Sequence, residues 1–569
     1  VPTPSRSSDL RHLGDFDVGA RLLAITAFAL PIGAISAGVA WCLLRLIGLI
    51  TNLVFYQRVG TALVAPGEIH HSPFLILLAP VCGGLVIGLV ARYGSEKIRG
   101  HGIPEAIESI LTGGSKVQPR VALLKPLASA IAIGTGGPFG AEGPIIMTGG
   151  AFGSITAQFL HLTADERKTL LVAGAAAGMA ATFDAPLASV LLAVELLLFE
   201  WRPRSFIPVA AAVAVATIVR VPLLGSGPVF PVPTGHLDLN AGSYLLCVLS
   251  GGLGGALALI ATSLVYLSED GFGRLPIHWM WWPALGGVII GIGGLIVPQA
   301  LGVGYDVIEA ELNGTIALHL IIGILIVKTL IWSLSLGSGT SGGVLAPMLM
   351  IGGALGGLEA QVFPHVADGF WPLVGLAAVL GGVMRSPLTG VVFALELTHR
   401  YEALLPLLIG ATAAYAISIL ILRRSVLTEK IARRGIHLSR EYSVDPLEVL
   451  FVGDVMGEIE EAVAATNGAQ ALSEAEARLD GEPGELDDAP IVFADDTLRH
   501  VAYVMAESGR TELPVAERAR PGVPVGTVRL EQLLEGRLRD LDEERHRTRV
   551  LRPIELLRPS RSATPAGRA

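Results

Sequence analysis

The sequence predicts an all-α polytopic membrane protein with an internal duplication, followed by a small α/β cytoplasmic domain. Three observations predict it. Of the 569 residues, 51% are hydrophobic and only 16% charged, with a mean hydropathy of +0.60, whereas soluble domains carry about 25% charged residues. Long apolar runs fill the first three-quarters of the chain. Within them one stretch repeats another at a nearly fixed offset.

A helix needs about 20 apolar residues to cross a bilayer. The runs at 20–50, 73–91, 206–224, 242–267, 282–300, 318–336 and 404–422 are the long candidates. Shorter runs at 121–133, 145–159, 170–182, 187–199, 344–358 and 388–397 are interrupted by Gly and Pro and make poor simple spans. Irregular backbone at membrane depth is tolerated where protein covers it or where it lines a watery cavity. Paired short segments in two halves therefore point to a transport site. The 69 glycines fit this, because small residues let membrane helices approach closely.

Arg6, Arg11 and Arg21 precede the first span, and Arg423, Arg424, Lys430, Arg433 and Arg434 follow the last. The positive-inside rule then places both termini in the cytoplasm, and the expected location is a bacterial inner membrane. The first eleven residues lack the apolar core of a signal peptide. The net charge of −9 says little about the transported ion, since much of the acid lies in the hydrophilic tail. Cys42, Cys82 and Cys247 sit in apolar runs without metal or redox spacing and read as buried small hydrophobes.

The repeat is the decisive feature. Lys125, Gly134, Gly140 and Pro144 lie over Lys328, Gly337, Gly343 and Pro347, an offset of 203. Further on, Pro186 and Glu195 lie over Pro387 and Glu396, an offset of 201. The sequence does not show whether the halves are parallel or inverted. Glu195 and Glu396 sit in apolar runs, and their duplication favours a structural role that requires hydrogen-bond partners inside the protein.

Three Gly-rich loops run straight into apolar helices: GHGIPE at 100–105, GAEGP at 140–144 and GGVLAP at 342–347. Orphan N–H groups at a helix start, at the positive end of the dipole, bind anions. Several such starts aimed at one point make an anion site without a full positive charge, which lets the ion leave again. Glu142, in the middle of the second loop, is an intramembrane acid and functional by default. Its carboxylate competes with an anion for the same donors, and protonation releases it.

These motifs, in this order, resemble the CLC family of chloride channels and chloride/proton antiporters over roughly residues 20–435. The resemblance implies an inverted repeat with re-entrant helices, halves at about 20–225 and 242–435, and a homodimer in the bilayer with one anion pathway per subunit. It implies that backbone groups of Ala141, Gly143, Val344 and Leu345 face chloride, with His101, Gly102 and Ile103 at the inner end. It makes Glu142 the external gating glutamate, which is also a proton acceptor in the antiporters.

Three positions depart from the family pattern. Antiporters carry an internal proton-transfer glutamate where this chain has Leu196; Glu200, one turn on, either substitutes or is a helix-end carboxylate beside Arg202 and Arg204. Many members carry Ser where this chain has His101. The ring of His101 either donates to the anion, as a neutral or a cationic group, or points away and leaves binding to backbone amides. A Tyr that contacts the central anion in the family is matched here by Leu427.

Residues 1–19 read as a cytoplasmic segment and 441–544 as a CBS-like domain, with a strand–helix–strand–strand–helix pattern over 490–535. Only one complete CBS repeat is visible. A dimer-stabilising or regulatory role is preferred over adenine nucleotide binding. Residues 545–569, rich in Pro, Ser, Thr and Arg, read as disordered. There is no nucleophile–base pair, metal spacing or P-loop, so enzymatic catalysis, a resident cofactor and nucleic-acid binding are not expected. The expected function is chloride transport. Leu196 and Leu427 favour passive, gated conduction over chloride/proton exchange. A membrane-anchored nucleotide sensor that no longer conducts would leave the anion loops without purpose.

Overall fold

The computed structural model describes residues 19–232, 237–434, 445–458 and 490–545. Two compact units form, one within Phe16–Arg440 and one within Glu441–Ala569. The expected N-terminal segment, most of a first CBS repeat and the expected disordered tail lie outside the described residues, apart from Gly19 and Arg545 at their edges.

The first unit is all helical. Its first half contains α1 (Arg21–Phe55), α2 (Pro73–Tyr93), α3 (Ile103–Leu111), α4 (Pro119–Gly134), α5 (Glu142–Gln158), α6 (Ala164–Phe183), α7 (Pro186–Leu192) and α8 (Pro203–Leu224). The second half contains α9 (Ala241–Gly273), α10 (Trp282–Ile296), α11 (Tyr305–Leu312), α12 (Leu318–Gly337), α13 (Leu345–Glu359), α14 (Phe370–Met384), α15 (Pro387–Thr398), α16 (Leu404–Ile421) and α17 (Glu429–Arg433). Seven of these, α1, α2, α8, α9, α10, α12 and α16, are long and apolar enough to cross a membrane, α10 and α16 with the helical turn before each. They fall on the seven long runs read from the sequence. Local chemistry sets their starts. Pro opens α2, α4, α7, α8, α10 and α15, where the missing N–H costs nothing. Thr163 and Glu166 form a capping box before α6, with bonds of 2.8 and 3.3 Å.

The repeat is visible in packing. α5 crosses α6 where Gly149 faces Gly174, and a Cβ on either would lie 2.3 or 2.2 Å from the other's carbonyl oxygen. α13 crosses α14 in the same way, through Gly352 and Gly375, where the distances would be 2.7 and 2.4 Å. Glycine is required at these crossings because backbone meets backbone. Cys247 is buried, but Cys42 and Cys82 are exposed. The expectation of burial fails for those two because they lie on faces of α1 and α2 that the described residues leave uncovered.

The second unit is a small α/β fold. Its sheet order is β1-β4-β3-β2, from β1 (Gly457–Glu458), β2 (Val492–Phe493), β3 (Glu512–Glu517) and β4 (Arg520–Arg529). Leu498–Ser508 and Leu530–Arg545 are its longer helices, and Leu498, Val501, Leu513, Val515 and Val528 build its core. β2 runs parallel to β3, and β3 antiparallel to β4. This is the strand–helix–strand–strand–helix order expected of a CBS-like module.

Candidate functional site

The three Gly-rich loops meet. Gly140 and Gly343 form an antiparallel bridge, in which the Gly343 N–H donates to the Gly140 carbonyl at 2.9 Å. A Cβ on Gly143 would lie 1.9 Å from the His101 carbonyl oxygen, and one on Gly102 would lie 2.5 Å from the Gly143 carbonyl oxygen. The starts of α3, α5 and α13 are thus held together by contacts that only glycine permits. Gly143→Ala is expected to force the first two loops apart, with a destabilisation of about 1–3 kcal/mol and loss of most chloride flux, read by efflux from liposomes.

Glu142 sits at this junction and is fully buried. Its Oε1 accepts the Ala346 N–H at 3.1 Å, in the first turn of α13. Its Oε2 is buried and has no hydrogen-bond partner among the described residues. The carboxylate fills the space left by two missing side chains, since a Cβ on Gly140 or Gly343 would lie 1.9 or 2.4 Å from its oxygens. An acid therefore occupies a helix start, where the free N–H groups and the dipole favour negative charge.

A cavity of about 460 Å³ lies against the first loop, lined among others by Arg99, His101, Glu105, Met147, Tyr266 and Lys430. His101 is buried, and its Nδ1 has no partner among the described residues. Glu105, the acid of the first loop, accepts the Gly102 N–H at 2.9 Å and the Lys430 ammonium at 2.5 Å. It caps α3 and ties α17 to it.

Two lysines that the sequence marked only as repeat positions hold the loops. Lys125 is fully buried and donates to the carbonyls of Ile98 and Gly100 at 2.9 and 2.6 Å. Lys328, also fully buried, donates to those of Ala300 and Gly302 at 2.9 and 2.8 Å. This exposes a fourth loop, Gly302-Val303-Gly304, equivalent to Gly100-His101-Gly102. Gly102 and Gly304 both have positive φ, at 92° and 84°. Sequence reading missed it because the Pro and Glu that mark the first loop are replaced by Asp306 and Val307.

The family model for voltage-gated chloride channels matches residues 82–419. The chain belongs to this family. It is an integral polytopic membrane protein that transports chloride. It is 32% identical over 417 residues to an H(+)/Cl(−) exchange transporter ClcA of Salmonella paratyphi B, covering 69% of this chain and 85% of the relative. It is 28% identical over 353 residues to a putative chloride channel protein ClcB-like of Ralstonia nicotianae, covering 60% and 81%. Its fold is similar to that of a slow cyanobacterial Cl−/H+ antiporter, at TM-score 0.62 and 23% identity, over 73% of this chain and 98% of the other. A eukaryotic CLC transporter matches at TM-score 0.60 and 19% identity, over 90% and 98%.

The positions that depart from the family pattern are now placed. Leu196 is buried in a π-helical turn, Ala193–Leu198, that continues α7. The repeat shows what this turn does. Asp184 and Arg385 are equivalent left-handed residues at offset 201, whereas the left-handed Phe199 and His399 are at offset 200. The π turn absorbs one extra residue in the first half, between Glu195 and Phe199, and such turns collect at functional positions. Glu200 accepts from the Ser205 hydroxyl at 2.5 Å and lies 3.7 Å from both Lys168 and Arg202. Leu427 is buried but is not among the described residues that line the cavity. Tyr266, which does line it, donates its hydroxyl to the carbonyl of the adjacent Val426. Sequence reading missed Tyr266, because α9 lies far from the matched motif.

Glu195 and Glu396 find the partners their burial requires. Glu195 Oε2 accepts from the Thr389 N–H at 3.0 Å and from its hydroxyl at 2.5 Å, at the start of α15. Glu396 accepts the N–H groups of Leu187 and Ala188 at 2.9 and 2.8 Å, at the start of α7. Each caps the broken helix of the other half.

Proposed function

We propose that the protein exchanges chloride for protons across the membrane, with Glu142 as both the gate and the proton acceptor. The observation that carries this is the fully buried Glu142 carboxylate bound to the first turn of α13. Ionised, it takes the N–H groups an anion needs. Protonated, it gives them up. The naming of the ClcA relatives as H(+)/Cl(−) exchangers supports exchange over the passive conduction that the sequence favoured. Chloride is bound by backbone N–H groups around Ala141, Gly143, Val344 and Leu345, and toward the cavity around His101, Gly102 and Ile103. The active form is a homodimer in a bacterial inner membrane, with both termini cytoplasmic and one pathway per subunit.

A second reading, uncoupled conduction, has one observation in its favour: the apolar Leu196 stands where related antiporters hold an internal proton-transfer glutamate. Reconstitution into liposomes separates the two. Under an imposed chloride gradient, exchange drives protons uphill against the chloride flow. Fast chloride flux with no proton movement would sink the exchange reading.

A further inference from the structure

Glu311 is a fully buried acid that the site above does not use. It is 1% exposed, and neither carboxylate oxygen has a hydrogen-bond partner among the described residues. Inside a membrane protein such a group is costly and demands an explanation. Its place is specific. A Cβ on Gly353 would lie 2.2 Å from Glu311 Oε2, so a glycine on α13 makes the room for it.

α13 relates this acid to the gate. Ala346, Met350 and Gly353 are spaced i, i+4 and i+7, and so share one face of the helix. Ala346 binds Glu142. At Met350 the face meets Gly304, whose Cβ would lie 2.6 Å from the Met350 sulfur and 3.7 Å from Lys328 Nζ. Gly353 meets Glu311. Two acids therefore lie against one stripe, about 10 Å apart along the axis at 1.5 Å per residue, with a buried ammonium between them. Lys328 is within electrostatic reach of Glu142, Glu311 and Asp306. Of these charges Asp306 acts on Lys328 most strongly, although its side chain reaches solvent, and the hydroxyl of the neighbouring Tyr305 is buried with no partner among the described residues.

We propose that Glu311 is a second proton-holding residue, coupled to Glu142 through Lys328. The negative charges of the two acids repel, so an ionised Glu311 favours protonated Glu142 and a protonated Glu311 favours ionised Glu142. When Glu142 is ionised at the start of α13, the neutral form of Glu311 is favoured. When Glu142 is protonated and swings out, Glu311 carries the negative charge opposite Lys328.

This rests on the assignment of Glu142 as the gate, and the test keeps the two apart. The full chain is reconstituted in liposomes and chloride flux is measured against pH. Two charges about 10 Å apart at an effective dielectric of about 20 couple by about one pH unit. Glu311→Gln removes the negative charge that favours protonated Glu142. The midpoint of activation is expected to fall by about one unit, a tenfold higher proton concentration for half-maximal flux. Gly353→Ala displaces the carboxylate without removing its charge, and is expected to shift the midpoint in the same direction by less; it serves if the Gln variant does not fold. Glu309→Gln, exposed on the same helix, is expected to leave the midpoint in place. An unchanged midpoint in Glu311→Gln, or in Gly353→Ala if it alone folds, overturns the proposal. PH dependence that survives Glu142→Gln overturns the gate assignment instead.

Discussion

Glu142→Gln is expected to free chloride flux from pH between about pH 4 and pH 8 and to reduce chloride-driven proton movement to leak level. The amide keeps the volume of the carboxylate but can neither take a proton nor carry the charge that competes with an anion. At the start of α13 the ionised acid accepts the Ala346 N–H, so an arriving anion must displace a charge-assisted bond. Removing an interaction of about 1.4 kcal/mol changes an equilibrium tenfold. A rise in neutral-pH chloride flux of about that size is the expected accompaniment. Glu142→Ala is expected to act in the same direction, since it also vacates the cradle between Gly140 and Gly343. The check is paired chloride and pH recording in liposomes. Wild-type pH dependence in the Gln variant would mean that the carboxylate is only a helix-start acid complementing a dipole.

Much of this site was legible in the sequence because its chemistry is backbone chemistry. A helix start aimed at an anion needs Gly for close approach and tolerates Pro in its first turn, and both leave letters behind. The loops at 100–105, 140–144 and 342–347 could therefore be found, and the glycine contacts among Gly102, Gly143 and His101 bring the first two together. The seven spans were legible because apolar length is a local property. What escaped was non-local. Lys125 and Lys328 were seen as repeat positions, but nothing in their neighbours says that their ammonium groups reach carbonyls 25 to 28 residues earlier in the chain. Glu311 sits in an unremarkable run beside the exposed Glu309. Only the fold shows that one of these acids is dry and the other wet. The π turn at Leu196 was invisible for another reason: a one-residue insertion in a helix has no composition, and only the drift in repeat offset reveals it.

The largest stability effect is expected at the two glutamates that the repeat preserves. Each binds two donor groups at the start of a helix in the opposite half, through charge-assisted bonds worth about 1.5–3 kcal/mol when partly buried, aided by the helix dipole. Glu195→Ala and Glu396→Ala are each expected to cost about 2–3 kcal/mol, and the Gln variants less, because one acceptor oxygen remains. Denaturation in detergent micelles measures this. The two caps lock one pair of helices: Glu195 belongs to the helical segment that Glu396 caps, and Glu396 to the helix that Glu195 caps. Losing one cap loosens the platform that carries the other, so the double variant is expected to cost less than the sum of the singles. Strict additivity would mean that the caps act independently. The repeat itself explains why these two acids and not Glu142 are duplicated. At offset 203 the partner of Glu142 is Leu345, and at offset 202 the partner of Glu311 is Ser109. An acid that braces one half against the other is needed twice. An acid that gates a single pathway is needed once, and a second copy at Leu345 would place like charges at one anion site.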